Sequence, residues 1–254
     1  MQKRKWISCV LAMLYATSVF AAPDEVQVYN DEMNAPGEFG LEQHVNYTVK
    51  GQRTPDYAGQ MVSHHLTQIT PEFSYGINRN FEGGLYLPLA VAPGGNAYLN
   101  GLRLRLKYMR SVAEDSQMFY GLNGELGRSS IRTSDSLSSF EIRPIIGYRG
   151  GNWLASFNPI LNFSLAAAVS HQPTFLPSMK LARRMSEGVS GGLEYYGEYG
   201  ALNNMLPGSQ RAHMLYAVAD VASGKLDLNV GIGRGFVNAP DQWVLKALVA
   251  LPLD

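Results

Sequence analysis

Leu102-Arg103-Leu104-Arg105-Leu106-Lys107-Tyr108 alternates apolar and basic residues without interruption. A period of two is that of a β-strand, whose successive side chains point to opposite faces. One face here is leucine and tyrosine; the other is a ladder of Arg103, Arg105 and Lys107. Few soluble sheet edges carry charge in such regular order. A strand crossing a bilayer in a closed barrel does, with its apolar face on lipid and its polar face in the lumen.

The same alternation recurs from Gly37 to the C-terminus. Upstream, Phe39, Leu41, Val45, Tyr47 and Val49 share a face opposite Glu38, Glu42, His44, Asn46 and Thr48. Ile69, Phe73, Tyr75 and Ile77 oppose Gln68, Thr70, Glu72 and Ser74, and after the Asn78-Arg79-Asn80 turn Phe81, Leu85, Leu87 and Leu89 oppose Glu82 and Tyr86. Tyr98 falls in sequence parity with Leu102. Downstream, Met118, Tyr120, Leu122 and Leu126 oppose Asn123 and Glu125; Phe140, Ile142, Ile146 and Tyr148 oppose Glu141, Arg143 and Arg149. Gly150-Gly151 reads as a minimal hairpin into Trp153 to Leu165. Further strands are expected over Phe175–Leu181, Val189–Tyr199, His213–Val221, Leu226–Gly235 and Trp243–Leu251, about twelve in all, the even number of a single-chain bacterial barrel.

Connection lengths test this reading. Longer links over 51–63, 91–96, 129–138, 166–173, 200–211 and 236–241 alternate with shorter ones at 78–80, 150–151, 185–188 and 222–225; the link over 110–116 is long for its short-turn slot. Outer-membrane barrels have short periplasmic turns and longer external loops, so this parity puts both termini in the periplasm. Aromatic spacing is a further test. Tyr98 and Tyr108, ten residues apart, would span roughly 25 Å vertically on a tilted strand, the height of the apolar band between aromatic girdles. Phe39 with Tyr47, Phe140 with Tyr148 and Trp153 with Phe163 repeat the bracket.

The first residues are a different kind of segment. Lys3, Arg4 and Lys5 precede an apolar run from Trp6 to Phe20 that ends in Ala21-Ala22, the form of a secretory signal. The expected organisation is a signal over 1–22, a periplasmic N-terminal segment over 23–36 and a barrel over 37–254. Cys9, the single cysteine, leaves with the signal, so the mature chain has no thiol or disulfide. Removing Lys3, Arg4 and Lys5 leaves 18 basic against 21 acidic residues, a net charge of −3 that gives no reason to expect nucleic acid as a partner. A mean hydropathy of −0.11 suits a barrel, because half of every span is polar. A soluble sandwich or lipocalin-like barrel is the competing fold. The signal, the loop alternation and the ordered charges speak against it; the non-aromatic end Leu251-Pro252-Leu253-Asp254 speaks for it.

Chemical motifs are sparse. His44, His64, His65, His171 and His213 show no zincin spacing and have no cysteine to help them, so no metal and no cofactor is expected, although His64-His65 suggests weak binding at a loop rim. A lipid-modifying hydrolase would need a serine beside an outward histidine; His65 and His213 have outward parity, yet no outward serine lies on an adjacent strand at matching height, and no G-x-S-x-G elbow occurs. No catalytic residue is assigned and the chain is read as a non-enzyme. Gly231-Ile232-Gly233-Arg234-Gly235 lacks the context of a nucleotide loop and reads as a glycine-rich strand with small lumen residues. The informative residues are the inward charges Arg103, Arg105, Lys107, Glu125, Glu141 and Arg143. They either form a cross-strand network that fills the barrel or line a polar pore.

Pro36-Gly37-Glu38-Phe39-Gly40, Thr70-Pro71-Glu72-Phe73-Ser74-Tyr75-Gly76, Arg143-Pro144-Ile145-Ile146-Gly147-Tyr148-Arg149, Phe157-Asn158-Pro159-Ile160-Leu161 and Leu193-Glu194-Tyr195-Tyr196-Gly197 carry a resemblance. Over most of its length the chain resembles an uncharacterised proteobacterial outer-membrane β-barrel family, which is loosely similar to the phenol-degradation (meta-pathway) outer-membrane proteins. The resemblance implies a barrel in the outer membrane for passage of small organic molecules, and brings no catalytic residues. The expected function is a pore or conduit for ions or small organic molecules, with a lipid-modifying hydrolase or a structural or adhesive barrel with a closed lumen as alternatives. Its expected partners are outer-membrane lipid, a small-molecule solute and the outer-membrane assembly machinery.

Overall fold

A computed structural model describes residues 24–110, 116–166 and 172–253. The expected signal over 1–22, Cys9, His171, Asp254 and most of the 110–116 link lie outside these residues. Twelve antiparallel strands form one closed barrel. They are β1 (Phe39–Lys50), β2 (Thr67–Gly76), β3 (Phe81–Tyr86, resumed by Leu89–Val91), β4 (Ala97–Leu99, resumed by Gly101–Met109), β5 (Met118–Ser129) and β6 (Ser138–Gly150). The circuit continues with β7 (Trp153–Ser164), β8 (Thr174–Ser186), β9 (Val189–Glu198), β10 (Ala212–Ser223), β11 (Leu226–Val237) and β12 (Trp243–Leu253). Each strand pairs with its chain neighbours. β1 pairs on its other side with β12, from Phe39 opposite Leu253 to Lys50 opposite Trp243. Closure satisfies the backbone groups that an open edge would leave bare in lipid. Among the described residues no helix is long and apolar enough to cross a membrane; a 3-10 turn occurs at Gly208–Gln210.

Alternation sorts the side chains as the sequence predicts. On β4 Leu104 is 54% exposed on the outer surface, whereas Arg105 and Lys107 are buried inside. Phe73, Leu122, Leu126, Leu181, Leu193 and Ile232 extend the outer apolar belt around the circumference. An uncovered belt of this extent marks a lipid-facing surface. Parity breaks within β4. Asn100 interrupts β4, its N–H donating to the Pro88 carbonyl and its own carbonyl accepting from Ser130 N–H. This irregularity turns Tyr98 away from the lipid face shared by Leu102 and Leu104; Tyr98 pairs with the buried Ala90 and lies under the Arg132 guanidinium, 4.6 Å from the ring centroid. Tyr98 is therefore no partner to Tyr108 in a girdle bracket, because an irregular residue shifts every later side chain by one face.

The turns after β6, β8 and β10 place Gly151, Gly188 and Gly224 at positive φ, the conformation that a tight hairpin requires. The ends of β1 and β12 meet at this short-turn side of the barrel. The segment over 24–36 leaves the sheet at this end, next to Gly37, whose N–H donates to the Gly76 carbonyl. From there it runs not away from the barrel but up inside it, where Val26, Val28 and Tyr29 are buried.

Replacing Leu104 by arginine at the middle of the lipid face should cost about 2 to 4 kcal/mol of folding free energy. Reversible urea unfolding of the refolded protein in liposomes measures it. Met118→Arg, near the short-turn end, should cost less than Leu104→Arg.

Candidate functional site

The lumen holds the extended segment 24–36, which joins no strand of the sheet. It lacks a ladder, so its backbone must find side-chain partners. Asn158 on β7 supplies two of them at Tyr29: its Oδ1 accepts from Tyr29 N–H at 2.7 Å and its Nδ2 donates to the Tyr29 carbonyl at 3.1 Å. Ser156 donates to the same carbonyl. The Val26 carbonyl accepts from Lys246 Nζ at 3.0 Å, and Asn34 N–H donates to Glu82 at 2.6 Å. Two apolar anchors accompany these bonds. Val26 packs on Tyr216, Val218 and Val244, and Tyr29 packs on Met109, Phe119 and Ile145. Two glycines make room for the inward aromatics: a Cβ on Gly233 would lie 2.4 Å from the Tyr216 ring, and one on Gly147 would lie 2.0 Å from Phe119. Gly231 and Gly233 are thus spacing residues of β11.

The inward charges surround this segment. Arg103 pairs with Asp24 at 2.6 Å and lies 3.8 Å from both Glu25 and Glu125. Arg105 does not pair with Glu125, its register neighbour across β4 and β5; its guanidinium bridges Glu82 at 2.8 Å and Glu72, two carboxylates on the other side. Glu125 instead accepts from Asn123 at 2.8 Å and from the Tyr29 hydroxyl at 3.2 Å. Lys107 donates to the Glu32 carbonyl and sits 5.3 Å from the Tyr29 ring centroid. Arg143 holds Glu141 at 2.9 Å and Glu25 at 3.4 Å, with its guanidinium 4.1 Å from the Tyr29 ring centroid. Tyr29 is therefore ringed by cations, an arrangement favoured by the negative face of its ring. At the short-turn mouth Arg149 grips Asp31 through two guanidinium nitrogens.

Across the lumen a second network ties β8, β9, β10 and β12. Glu194 accepts from Lys246 and lies 3.2 Å from Lys180, which reaches Asp220 at 2.7 Å. These four residues stand one to a strand rather than in a ladder, and inward parity was the only signal they carried. Around the first network Asp24, Glu25, Glu42, Glu72, Glu82, Glu125 and Glu141 face Arg103, Arg105, Lys107 and Arg143, so acids outnumber bases there. Beside the segment a cavity of about 680 Å³ remains, bounded by Gln27, Glu42, Glu72, Lys180, Glu194 and Leu248 among others.

The outward histidines have tyrosine partners. His65 Nδ1 bonds the Tyr47 hydroxyl at 2.9 Å and His213 Nδ1 bonds Tyr195 at 2.6 Å. At the long-loop end, Asp241 is buried and accepts from Ser63, clasping the loop over 51–66 to the one that enters β12. Burial pushes the Asp241 carboxyl up to about 6, against the opposing effect of the Ser63 hydrogen bond.

No family model matches the chain, and no curated protein matches it. Solved structures do. An outer membrane channel from Pseudomonas putida F1 superposes with a TM-score of 0.63 at 13% identity, covering 90% of this chain and 100% of that one. The KdgM porin gives 0.58 at 7% identity over 85% and 99% of the two chains, and the NanC porin 0.55 at 8% over 84% and 99%. The chain has the fold of the outer-membrane channels and porins.

Two outcomes follow from the site. Arg105→Met strands Glu72 and Glu82 without their shared cation, and should destabilise the barrel by about 3 to 5 kcal/mol, read by urea unfolding in liposomes. Because the Asp241 carboxyl rises from its ordinary 3.8 to about 6 on folding, its contribution to loop docking is complete below pH 3.8 and is lost as pH rises through 6. Amide resonances of Gly51 and Gln52 should titrate with a midpoint near 6, and Asp241→Asn should abolish that titration.

Proposed function

We propose that the barrel is a non-enzymatic conduit for ions or small organic molecules across the outer membrane, stoppered by residues 24–36. The carrying observation is what fills the lumen: one extended segment, held by side chains rather than by a strand ladder, beside a residual cavity of about 680 Å³. A barrel built only as a scaffold is economically filled by its own wall, as eight-stranded barrels are. Here the filling is a separate piece of chain that can leave without unpairing any strand. The similarity in fold to an outer membrane channel and two porins supports the same reading.

In this reading Arg103, Arg105, Lys107, Glu125, Glu141 and Arg143 line the path once the segment has moved. Their charges then set which solutes pass, as fixed charges do in other pores. Outer-membrane lipid surrounds the apolar belt, the assembly machinery inserts the chain, and nucleic acid has no part. The cleaved signal over 1–22 belongs to the same proposal. With residues 24–36 in place the path is narrow, so the resting protein conducts little.

The test is conductance in planar bilayers. Deleting residues 24–35 should raise single-channel conductance severalfold over the full-length barrel. Replacing Arg103, Arg105 and Lys107 together by glutamine in that background should shift selectivity toward cations. If the deleted barrel, shown to be folded by heat-modifiable migration, gives no channel events and no solute flux in liposomes, the conduit reading fails and a closed structural or adhesive barrel stands in its place.

A further inference from the structure

We propose that Glu42, His44 and Glu72 form a binding site for a divalent first-row transition-metal ion inside the barrel. The three offer one ligand atom each, all within 4.8 Å of one another. Register brings them together: Glu42 on β1 lies directly opposite Glu72 on β2, and His44 is the next inward residue of β1. Like charges facing each other across a sheet repel, and burial raises the cost. A cation between them removes both penalties. Arg105 compensates Glu72, but Glu42 meets the neutral Gln27 amide, and acids outnumber bases in this part of the lumen.

A second observation points to a ligand. His44 is 1% exposed, and its buried Nε2 makes no hydrogen bond of normal geometry; it lies at ion-pair distance, 3.5 Å, from Glu72 Oε2. A buried imidazole nitrogen short of a normal hydrogen bond in a polar lumen is unusual; one set within 4.8 Å of two carboxylates has the position of a metal donor. The carboxylates are also oriented from behind. Arg105 holds Glu72 through Oε1, and Gln27 Nε2 donates to Glu42 Oε2 at 3.0 Å. Each carboxylate thus keeps an oxygen outside these contacts. Outer partners of this kind fix the ligands of metal sites.

Donor chemistry selects the ion. One imidazole with two carboxylates suits zinc, cobalt, manganese or iron, whereas calcium and magnesium take oxygen donors. Three protein ligands leave a coordination position open for water or solute. Glu42 and Glu72 border the residual cavity, which supplies a route of entry. Since Gln27 belongs to the inserted segment, a bound ion would also brace that segment against β1 and β2. The site stands whether or not the barrel conducts.

Titration of tag-free, refolded full-length barrel with Co²⁺, and with Zn²⁺ in competition, tests the site. A single equivalent should bind, and in the unmodified protein the paramagnetic shifts should centre on the amides of residues 42 to 44 and 72. His44→Gln and Glu72→Gln should each weaken Co²⁺ binding by about tenfold or more, while the double variant His64→Ala, His65→Ala should leave it unchanged. No binding by the unmodified protein overturns the proposal. So do shifts centred on His64 and His65, or affinity that survives in a folded His44→Gln barrel.

Discussion

Charge burial inside a closed barrel is the constraint on which the rest of this structure depends. Strand alternation that serves the lipid face necessarily aims every second side chain inward, and here those side chains include Arg103, Arg105, Lys107, Glu125 and Arg143. Ions taken out of bulk water need partners with good geometry. Twelve strands enclose too wide a lumen for opposite walls to satisfy one another throughout. The gap is filled from within the chain by residues 24–36, whose Asp24, Glu25, Asp31 and backbone carbonyls meet the arginines and lysines of the wall.

The inserted segment is bound by a mixture of interactions that suits a removable element. Val26 and Tyr29 bury apolar surface in separate clusters, and Asn158 completes the Tyr29 backbone groups. None of these contacts is part of the barrel ladder, so the wall's pairing does not depend on the segment. Its charged partners on the wall are groups that water can solvate in an open lumen. That difference between a hydrogen-bonded wall and a side-chain-bound filling is the physical basis for reading the barrel as a conduit.

The two halves of the lumen solve the charge problem differently. Across β8, β9, β10 and β12, Glu194 sits between Lys180 and Lys246 while Asp220 meets Lys180, so two acids balance two bases. Around β1 to β6 the acids are in excess. Glu125 and Glu141 also face each other directly across the sheet, yet Arg103 and Arg143 stand beside them. The Glu42 and Glu72 pair has Arg105 on one member and the neutral amide of Gln27 on the other. The imbalance is local, and His44 lies within it.

Much of the architecture was legible because period two is a local property. Leu104 and Arg105 face opposite ways for the same steric reason in any strand, and the alternation of link lengths puts both chain ends on one side of the barrel, where β1 and β12 pair. The lumen positions of Arg103, Arg105, Lys107, Glu125, Glu141 and Arg143 were readable for that reason. The choice of partner was not. Arg105 turning from Glu125 to Glu72 and Glu82, the shift of face at Asn100, the fold of residues 24–36 into the lumen and the meeting of Glu42, His44 and Glu72 each depend on contacts between distant parts of the chain. Sequence by itself determined which face each strand residue takes. Only barrel closure and register decided what lies opposite it, because a segment without periodicity takes its path from the walls it meets.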